Sequence, residues 1–130
     1  MERVTGIGGI FLKARDPEAL AAWYRDHLGV PIDEGQAYGT FTAGSADGAE
    51  RPEQTVWSAF PADTTYFAPS EAPFMVNYRV EDLDRMLAQL REAGAAVDER
   101  VESYAYGRFG WASDPEGNRF ELWEPAGPSL

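Results

Sequence analysis

The chain of 130 residues contains no cysteine, one histidine (His27) and one lysine (Lys13). Without cysteine there is no disulfide framework, and the usual thiolate sites for zinc or iron are excluded. No apolar stretch approaches the roughly 20 residues that a membrane-spanning helix needs. The beginning of the chain also lacks the basic start and apolar run of a secretory signal. We therefore expect a cytoplasmic protein with no membrane partner.

Basic residues are also scarce, because 11 Lys and Arg stand against 22 Asp and Glu, for a net charge of −11. No cluster of Lys and Arg is present to neutralise phosphates, so nucleic acid is not an expected partner. The glycines of Gly6–Gly9 lie in a predicted strand with no helix start after them, and no nucleotide cofactor is indicated. The acidic surplus favours a cationic or neutral small molecule over a polyanion.

What the chain does contain is an internal repeat. Ala37–Phe41 (AYGTF) is matched by Ala105–Phe109 (AYGRF), and Thr55–Ala62 aligns with Arg119–Ala126. Three matches in the same order, counting the segments that begin each half, indicate a duplicated unit with a cleft between its copies. We expect one domain, residues 1–130, with modules at about 4–62 and 73–126 and a linker at 63–72.

Each module begins with a strand followed by a helix. The run Gly6–Ala14 ends at Asp16-Pro17-Glu18, where Asp caps a helix, Pro fits its first turn and Glu favours its positive end. Phe74–Val80 precedes a second helix with an apolar stripe. Short segments separated by Gly, Asp and Pro then predict antiparallel strands. The predicted fold class is α+β, with two pseudo-symmetric βαβββ modules.

Two motifs resemble the vicinal oxygen chelate superfamily. Trp23–Gly29 (WYRDHLG) is similar to its FYxxxLG helix end, and Asp114–Leu122 (DPEGNRFEL) is similar to its DPxGxxxEL ending. That superfamily includes glyoxalase I, extradiol dioxygenases, methylmalonyl-CoA epimerase, and the fosfomycin and bleomycin resistance proteins. The resemblance implies that the modules form a cup-shaped mixed sheet, and that the chain pairs as a homodimer.

The metal-dependent members of that superfamily take two ligands from each module. The resemblance places these positions on Gly9, Trp57, Met75 and Glu121. Only Glu121 is a suitable ligand for a hard or borderline cation, because glycine and tryptophan offer no donor and a thioether suits softer metals. His27 lies in the helix-end motif, outside this set. We therefore predict no metal site and no cofactor.

Glu121 is the candidate catalytic residue. Alternation along the last strand places Arg119, Glu121 and Trp123 on one face, towards the cup. Burial beside aromatic side chains raises a carboxylate pKa, and this suits proton transfer next to a carbonyl. The alternative is a structural carboxylate that forms an ion pair with Arg119 or Arg79.

The same alternation and the aromatic segment before the last turn predict a set of cup residues. Apolar walls with a few polar groups are typical of small-molecule pockets. Core filling or a dimer interface, which also favours Tyr, Trp and Arg, is the alternative interpretation. The predicted ligand-binding residues are Phe11, Lys13, Trp57, Met75, Asn77, Arg79, Arg108, Trp111 and Glu121.

Three functions remain open from the sequence. The first is a metal-free binding protein, similar to bleomycin resistance proteins, that sequesters a cationic or aromatic metabolite or drug. The second is a small-molecule lyase or isomerase that uses Glu121 as acid and base. The third is a divalent-metal enzyme of glyoxalase or dioxygenase type, with ligands from elsewhere such as Glu53 or Gln54.

Overall fold

The computed structural model of the chain describes residues 1–43 and 53–126. Within these residues the chain forms two helices, α1 (Pro17–Leu28) and α2 (Leu83–Glu92). The strands, in chain order, are β1 (Val4–Ala14), β2 (Tyr38–Ala43), β3 (Glu53–Pro61), β4 (Phe74–Val80), β5 (Ala96–Val97), β6 (Glu102–Tyr104), β7 (Gly107–Ser113) and β8 (Arg119–Pro125).

Both helices begin at an aspartate, as the sequence predicts for the first. The Asp16 carboxylate accepts a hydrogen bond from the backbone N–H of Ala19 at 3.1 Å. The Asp82 carboxylate does the same for Arg85 at 3.0 Å. A side-chain acceptor at this position satisfies a backbone donor that the first helical turn leaves free. Helix α1 ends at Gly29, whose φ of 70° is in the left-handed region.

The strands join into one mixed sheet in the order β2-β3-β1-β4-β8-β7-β5, with β6 also paired to β7. Strands β1 and β4 are antiparallel at the centre, and each is followed outward by a parallel partner, β3 or β8. This arrangement repeats each module on either side of the β1–β4 pair. The predicted α+β class and the two pseudo-symmetric modules are confirmed.

The modules are less regular than the predicted βαβββ pattern. In the first module a single bridge between Ile32 and Gly39 stands where a strand was expected. Pro31 precedes that bridge and has no N–H to extend it into a ladder. In the second module the first strand expected after α2 divides into β5 and β6. The Asp98 carboxylate accepts from the backbone N–H of Arg100 at 2.9 Å and turns the chain between them.

One face of the sheet is covered by the helices and the other forms the inside of the cup. Two clusters of buried apolar side chains fill the helix-covered face. Under α2 they are Val80, Leu83, Met86, Leu87 and Leu122. Near α1 they are Ala14, Ala21, Val30, Ile32, Trp57 and Ala59. Neither of the two helices in the described residues has the length and apolar character needed to cross a membrane.

Candidate functional site

A cavity of about 680 Å³ occupies the inside of the cup. Its walls are mostly aromatic, and its two carboxylates are accompanied by no Lys, Arg or His among the described residues. The residues that line it are Gly8, Phe11, Tyr38, Thr40, Gln54, Val56, Ser58, Phe60, Tyr66, Asn77, Glu102, Tyr104, Tyr106, Phe109, Trp111, Glu121 and Trp123.

Sheet register brings three side chains together at the floor of this cavity. Glu121 on β8 lies opposite Asn77 on β4 and opposite Trp111 on β7. Directly paired residues project to the same face of a sheet, so all three point into the cup. The neighbours of Glu121 along the strand, Phe120 and Leu122, pack on the α2 side. The predicted alternation along β8 is confirmed.

Glu121 is only 2% exposed and accepts three hydrogen bonds. Its Oε1 accepts from Asn77 Nδ2 at 2.6 Å. Its Oε2 accepts from Trp111 Nε1 at 2.9 Å and from the Tyr66 hydroxyl. A buried carboxylate requires such partners, because an unpaired one would lose its hydration with no compensation. We call these four side chains the Glu121 cluster.

Burial raises the pKa of Glu121, because removal of water disfavours the charged carboxylate. The hydrogen bonds from Tyr66, Asn77 and Trp111 lower the same pKa, but by less than burial raises it. The pKa of Tyr66 is also raised, first by its own burial and then by the neighbouring Glu121 charge. The pair therefore favours a neutral Tyr66 hydroxyl that donates to Glu121.

The raised pKa of Glu121 predicts a specific pH dependence of folding stability. The folded protein holds the Glu121 proton more tightly than the unfolded chain, so this residue contributes stability at low pH and loses it as pH rises through the folded pKa. We expect the free energy of unfolding of the wild type, relative to Glu121→Gln, to fall as pH rises above the ordinary glutamate range. Urea unfolding of both proteins across this range measures the difference, and a relative stability that rises with pH contradicts the assigned shift.

Tyr66 reaches Glu121 from the segment between the modules, which carries none of the predicted ligand-binding residues. Its neighbour Phe67 is fully buried and packs with Phe11 and Met75, which fixes the path of the segment. Tyr66 stacks on Phe60 with ring centroids 5.5 Å apart and planes at 5°. The two adjacent aromatics in an otherwise polar linker were the only sequence signal for this contact.

A glycine in β1 makes room for Asn77. A methyl group at Gly8 would overlap the Asn77 Oδ1 atom and lie 2.9 Å from a ring carbon of Trp123. Asn77 Oδ1 is buried and has no hydrogen-bond partner within residues 1–43 and 53–126, while Asn77 Nδ2 donates to Glu121. Gly8 therefore permits the orientation in which the Asn77 amide nitrogen donates to the Glu121 carboxylate.

Four of the residues that the sequence predicts for the site line the cavity, namely Phe11, Asn77, Trp111 and Glu121. Phe11 forms part of the wall beside Phe60, with ring centroids 5.4 Å apart. The other three are members of the Glu121 cluster. Their roles in ligand binding and catalysis stay predictions.

The predicted position of Trp57 is wrong. Trp57 packs in the cluster near α1, with its ring centroid 4.9 Å from that of Tyr24, on the helix-covered face of the sheet. Its neighbours Val56 and Ser58 line the cavity instead. Side chains alternate along a strand, so residues adjacent to a buried, helix-facing tryptophan point into the cup.

Met75 and Lys13 lie beside the cavity without lining it. Met75 is 1% exposed and is covered by Phe67 and Phe11. The Lys13 ammonium lies 5.5 Å from the centroid of the Phe67 ring. Both residues therefore contact the segment that carries Tyr66, and the expectation that they line the cup is corrected.

The arginines are also placed outside the cavity. Arg108 forms a bidentate ion pair with Asp84, at 2.8 and 3.2 Å. Arg79 donates to the backbone carbonyls of Ile7, at 2.8 Å, and Gln54. Its guanidinium occupies the space that Gly6, a second glycine of β1, leaves free. These two positions correct the expectation of arginines on the cavity wall.

None of the arginines in the described part of the chain forms an ion pair with Glu121. Arg119 Nη1 lies 3.4 Å from Asp98 Oδ2, and its guanidinium is 5.5 Å from the Trp111 ring centroid. The hydrogen-bond partners of Glu121 are instead neutral donors. His27, expected to be structural, is exposed on α1, where its Nδ1 is 3.0 Å from the Trp23 carbonyl.

The metal positions implied by the resemblance do not fit a metal ion. Gly9 has no donor, Trp57 faces the helices, and Met75 is covered by Phe67. The oxygens of Glu121 already accept three N–H or O–H groups, which leaves about one of their four acceptor positions for a cation. Within the described residues no three His, Cys, Asp or Glu side chains lie together as a metal site.

The other ligand candidates were Glu53 and Gln54. Gln54 lines the cavity. The side chain of Glu53 lies outside the described residues.

The paired modules form a cup around a buried carboxylate, and comparison with known proteins identifies the family. The family model for the glyoxalase-like domain matches residues 9–123. The chain therefore belongs to the glyoxalase-like family. No curated protein sequence matches it.

Solved structures share this fold over nearly the whole chain. Methylmalonyl-CoA epimerase from Mycobacterium tuberculosis is 26% identical, covers 95% of this chain and 90% of its own, and superposes with a TM-score of 0.60. A variant of the Streptomyces coelicolor epimerase, in complex with 2-nitronate-propionyl-CoA, is 19% identical over 96% and 100%, with a TM-score of 0.64. A superfamily member from Vibrio splendidus 12B01 is 14% identical over 95% and 98%, with a TM-score of 0.56.

Proposed function

We propose that this protein binds a small aromatic or cationic molecule inside the cup without a metal ion. The observation that carries the proposal is a cavity of about 680 Å³ with aromatic walls and a buried, hydrogen-bonded glutamate at its floor. Ligand pockets typically have volumes in this range and combine apolar walls with a few polar groups that fix orientation.

The aromatic walls supply faces and edges for a planar ligand. Tyr104 stacks on Tyr106 at 5.4 Å, and Phe109 stacks on Trp123 at 6.0 Å. Both tyrosines are at least half exposed at the mouth of the cavity. Tyrosine faces also attract cations. The net charge of −11 favours the approach of a cation from solution.

A lyase or isomerase that uses Glu121 as acid and base is the second candidate. The raised pKa of Glu121 favours it, since a general base works best when its pKa is near the operating pH. The three donors oppose it, because hydrogen bonds from Tyr66, Asn77 and Trp111 stabilise the charged carboxylate and lower the pKa of Glu121, which makes it a weaker base.

A homodimer and a cytoplasmic location complete the proposal. Tyr38 and Phe41 on β2, the strand at one end of the sheet, are 44% and 43% exposed. Their burial between two copies would cover apolar surface at an open sheet edge. A chain without cysteine needs no oxidising compartment.

Binding is tested by titrating chelator-treated, ¹⁵N-labelled protein with a library of aromatic fragments and following backbone and indole N–H signals. We expect saturable shifts at Trp111 and Trp123 for some fragments. Ser58→Phe, which fills the cavity, should remove them. Ser103→Phe, on an exposed part of β6 outside the cavity lining, should keep them. Absence of saturable binding in the wild type, or equal binding by both variants, contradicts the proposal.

A further inference from the structure

The floor of the cavity holds more hydrogen-bond acceptors than its own donors satisfy. An ionised carboxylate has about four acceptor positions on its two oxygens. Three are used in Glu121, two on Oε2 by Tyr66 and Trp111 and one on Oε1 by Asn77. The remaining position belongs to Oε1.

A second acceptor without a donor belongs to Asn77, the residue whose amide nitrogen donates to Glu121 Oε1. Asn77 Oδ1 has no hydrogen-bond partner among the residues that the structure describes, and Asn77 is 2% exposed. Its orientation follows from its neighbour, because Nδ2 donates to Glu121 Oε1 and Oδ1 must therefore point away. Buried acceptors without partners are uncommon in folded proteins, since each one loses its water without replacement.

Each donor atom at the floor already makes one hydrogen bond. The Tyr66 hydroxyl, the Asn77 amide nitrogen and the Trp111 indole all donate to Glu121. The Trp123 indole donates to the backbone carbonyl of Tyr106 at 3.1 Å. An anionic ligand needs a cation or several donors, and among the described residues this floor offers no cationic side chain and only the second N–H of the Asn77 amide.

From this accounting we infer that the ligand carries an N–H or O–H donor on an aromatic ring, directs it to Glu121 Oε1, and is neutral or cationic. Ligands that direct a carboxylate or a phosphate group to this floor are rejected. The inference rests on the proposed binding function and adds the chemical class of the ligand.

Tyr66 shows the same chemistry within the chain. Its phenol ring stacks on Phe60 and meets Trp111 edge-on at 6.2 Å and 87°, while its hydroxyl donates to Glu121. An aromatic ring with one hydroxyl donor therefore already occupies one side of the carboxylate. A ligand of this class extends the arrangement to the side of Oε1.

Three probes of similar size test the inference: phenol offers a donor, anisole replaces that hydrogen with a methyl group, and benzoate is an anion. Their dissociation constants are measured by NMR titration, followed at the Trp111 indole N–H. We expect phenol to bind about tenfold more tightly than anisole or benzoate, which corresponds to about 1.4 kcal/mol.

Two variants locate the source of that preference. Glu121→Gln should remove the preference for phenol over anisole, because an amide at this position no longer offers a charged acceptor. Glu116→Gln removes one charge from the exposed turn between β7 and β8 and should leave the preference unchanged.

The outcomes separate this inference from the proposed function. Equal binding of phenol and anisole, or tighter binding of benzoate, overturns the donor requirement and leaves a binding protein in place. A preference for phenol that survives in Glu121→Gln overturns the assignment to Glu121. If none of the probes binds at millimolar concentration while other aromatic fragments do, the inferred ligand class is wrong, and if no fragment binds the proposed function fails as well.

Discussion

Replacing Glu121 with leucine is expected to lower the free energy of unfolding by about 3 kcal/mol. The substitution leaves the Asn77 amide and the Trp111 indole buried without their acceptor, and each such loss costs roughly 1–3 kcal/mol. Tyr66 is only partly buried, so its hydroxyl is able to turn towards water and contributes less.

Glu121→Gln is the matched control for this prediction. Glutamine has the same shape and retains an oxygen that accepts from Tyr66 and Trp111, so we expect a loss of about 1 kcal/mol. Urea unfolding near neutral pH measures both. A leucine variant as stable as the glutamine variant would show that the Glu121 cluster does not depend on its acceptor.

Replacing Phe67 with alanine is expected to cost about 3–5 kcal/mol, the usual range for a buried phenylalanine. Phe67 is 0% exposed and is packed by Phe11, Met75, Phe60 and Tyr66. It is also the anchor of the segment that carries Tyr66 to Glu121. The variant should therefore lose the Tyr66 contact as well as stability.

Two measurements separate these effects. Thermal or urea unfolding gives the stability, and the Trp111 indole N–H signal reports the change at Oε2 of Glu121. Phe74→Ala is the control, because Phe74 begins β4 and is 53% exposed, and it should cost about 1 kcal/mol or less. If Phe67→Ala leaves the indole signal unchanged, the segment is not held by Phe67.

The sequence predicts the second module more accurately than the first because strand β8 is strongly patterned. Phe120 and Leu122 alternate with Glu121 and Trp123, so the face of each residue follows from the strand period. The Asp114–Asn118 turn also fixes where β8 begins. The Asp114 carboxylate accepts from the backbone N–H groups of Glu116 and Asn118 at 2.9 Å.

The predicted position of Trp57 is wrong for a related reason. Alignment of the repeats pairs Trp57 with Glu121, but the sheet pairs Phe11 with Ser58 and Asn77 with Glu121. Since Phe11 and Asn77 are equivalent in the two copies, the structural counterpart of Glu121 is Ser58. A shift of one residue moves a side chain to the opposite face of a sheet.

The contact between Tyr66 and Glu121 could not be predicted from the sequence. The two residues are 55 positions apart, and the contact depends on how Phe67 is buried between the modules. Hydrophobic periodicity describes helices and strands, and the turns that lead to Tyr66 have no such period. The aromatic pair Tyr66-Phe67 marked the segment without showing what it reaches.

The central claim is that the cup works through a hydrogen-bonded Glu121 without a metal ion, and metal binding tests it most directly. The wild type and Glu121→Gln are loaded in turn with zinc, nickel, manganese and iron(II), dialysed, and analysed for bound metal. We expect no stoichiometric metal in either protein. One equivalent bound by the wild type, whether or not Glu121→Gln retains it, would contradict the claim and favour a metal enzyme of glyoxalase or dioxygenase type.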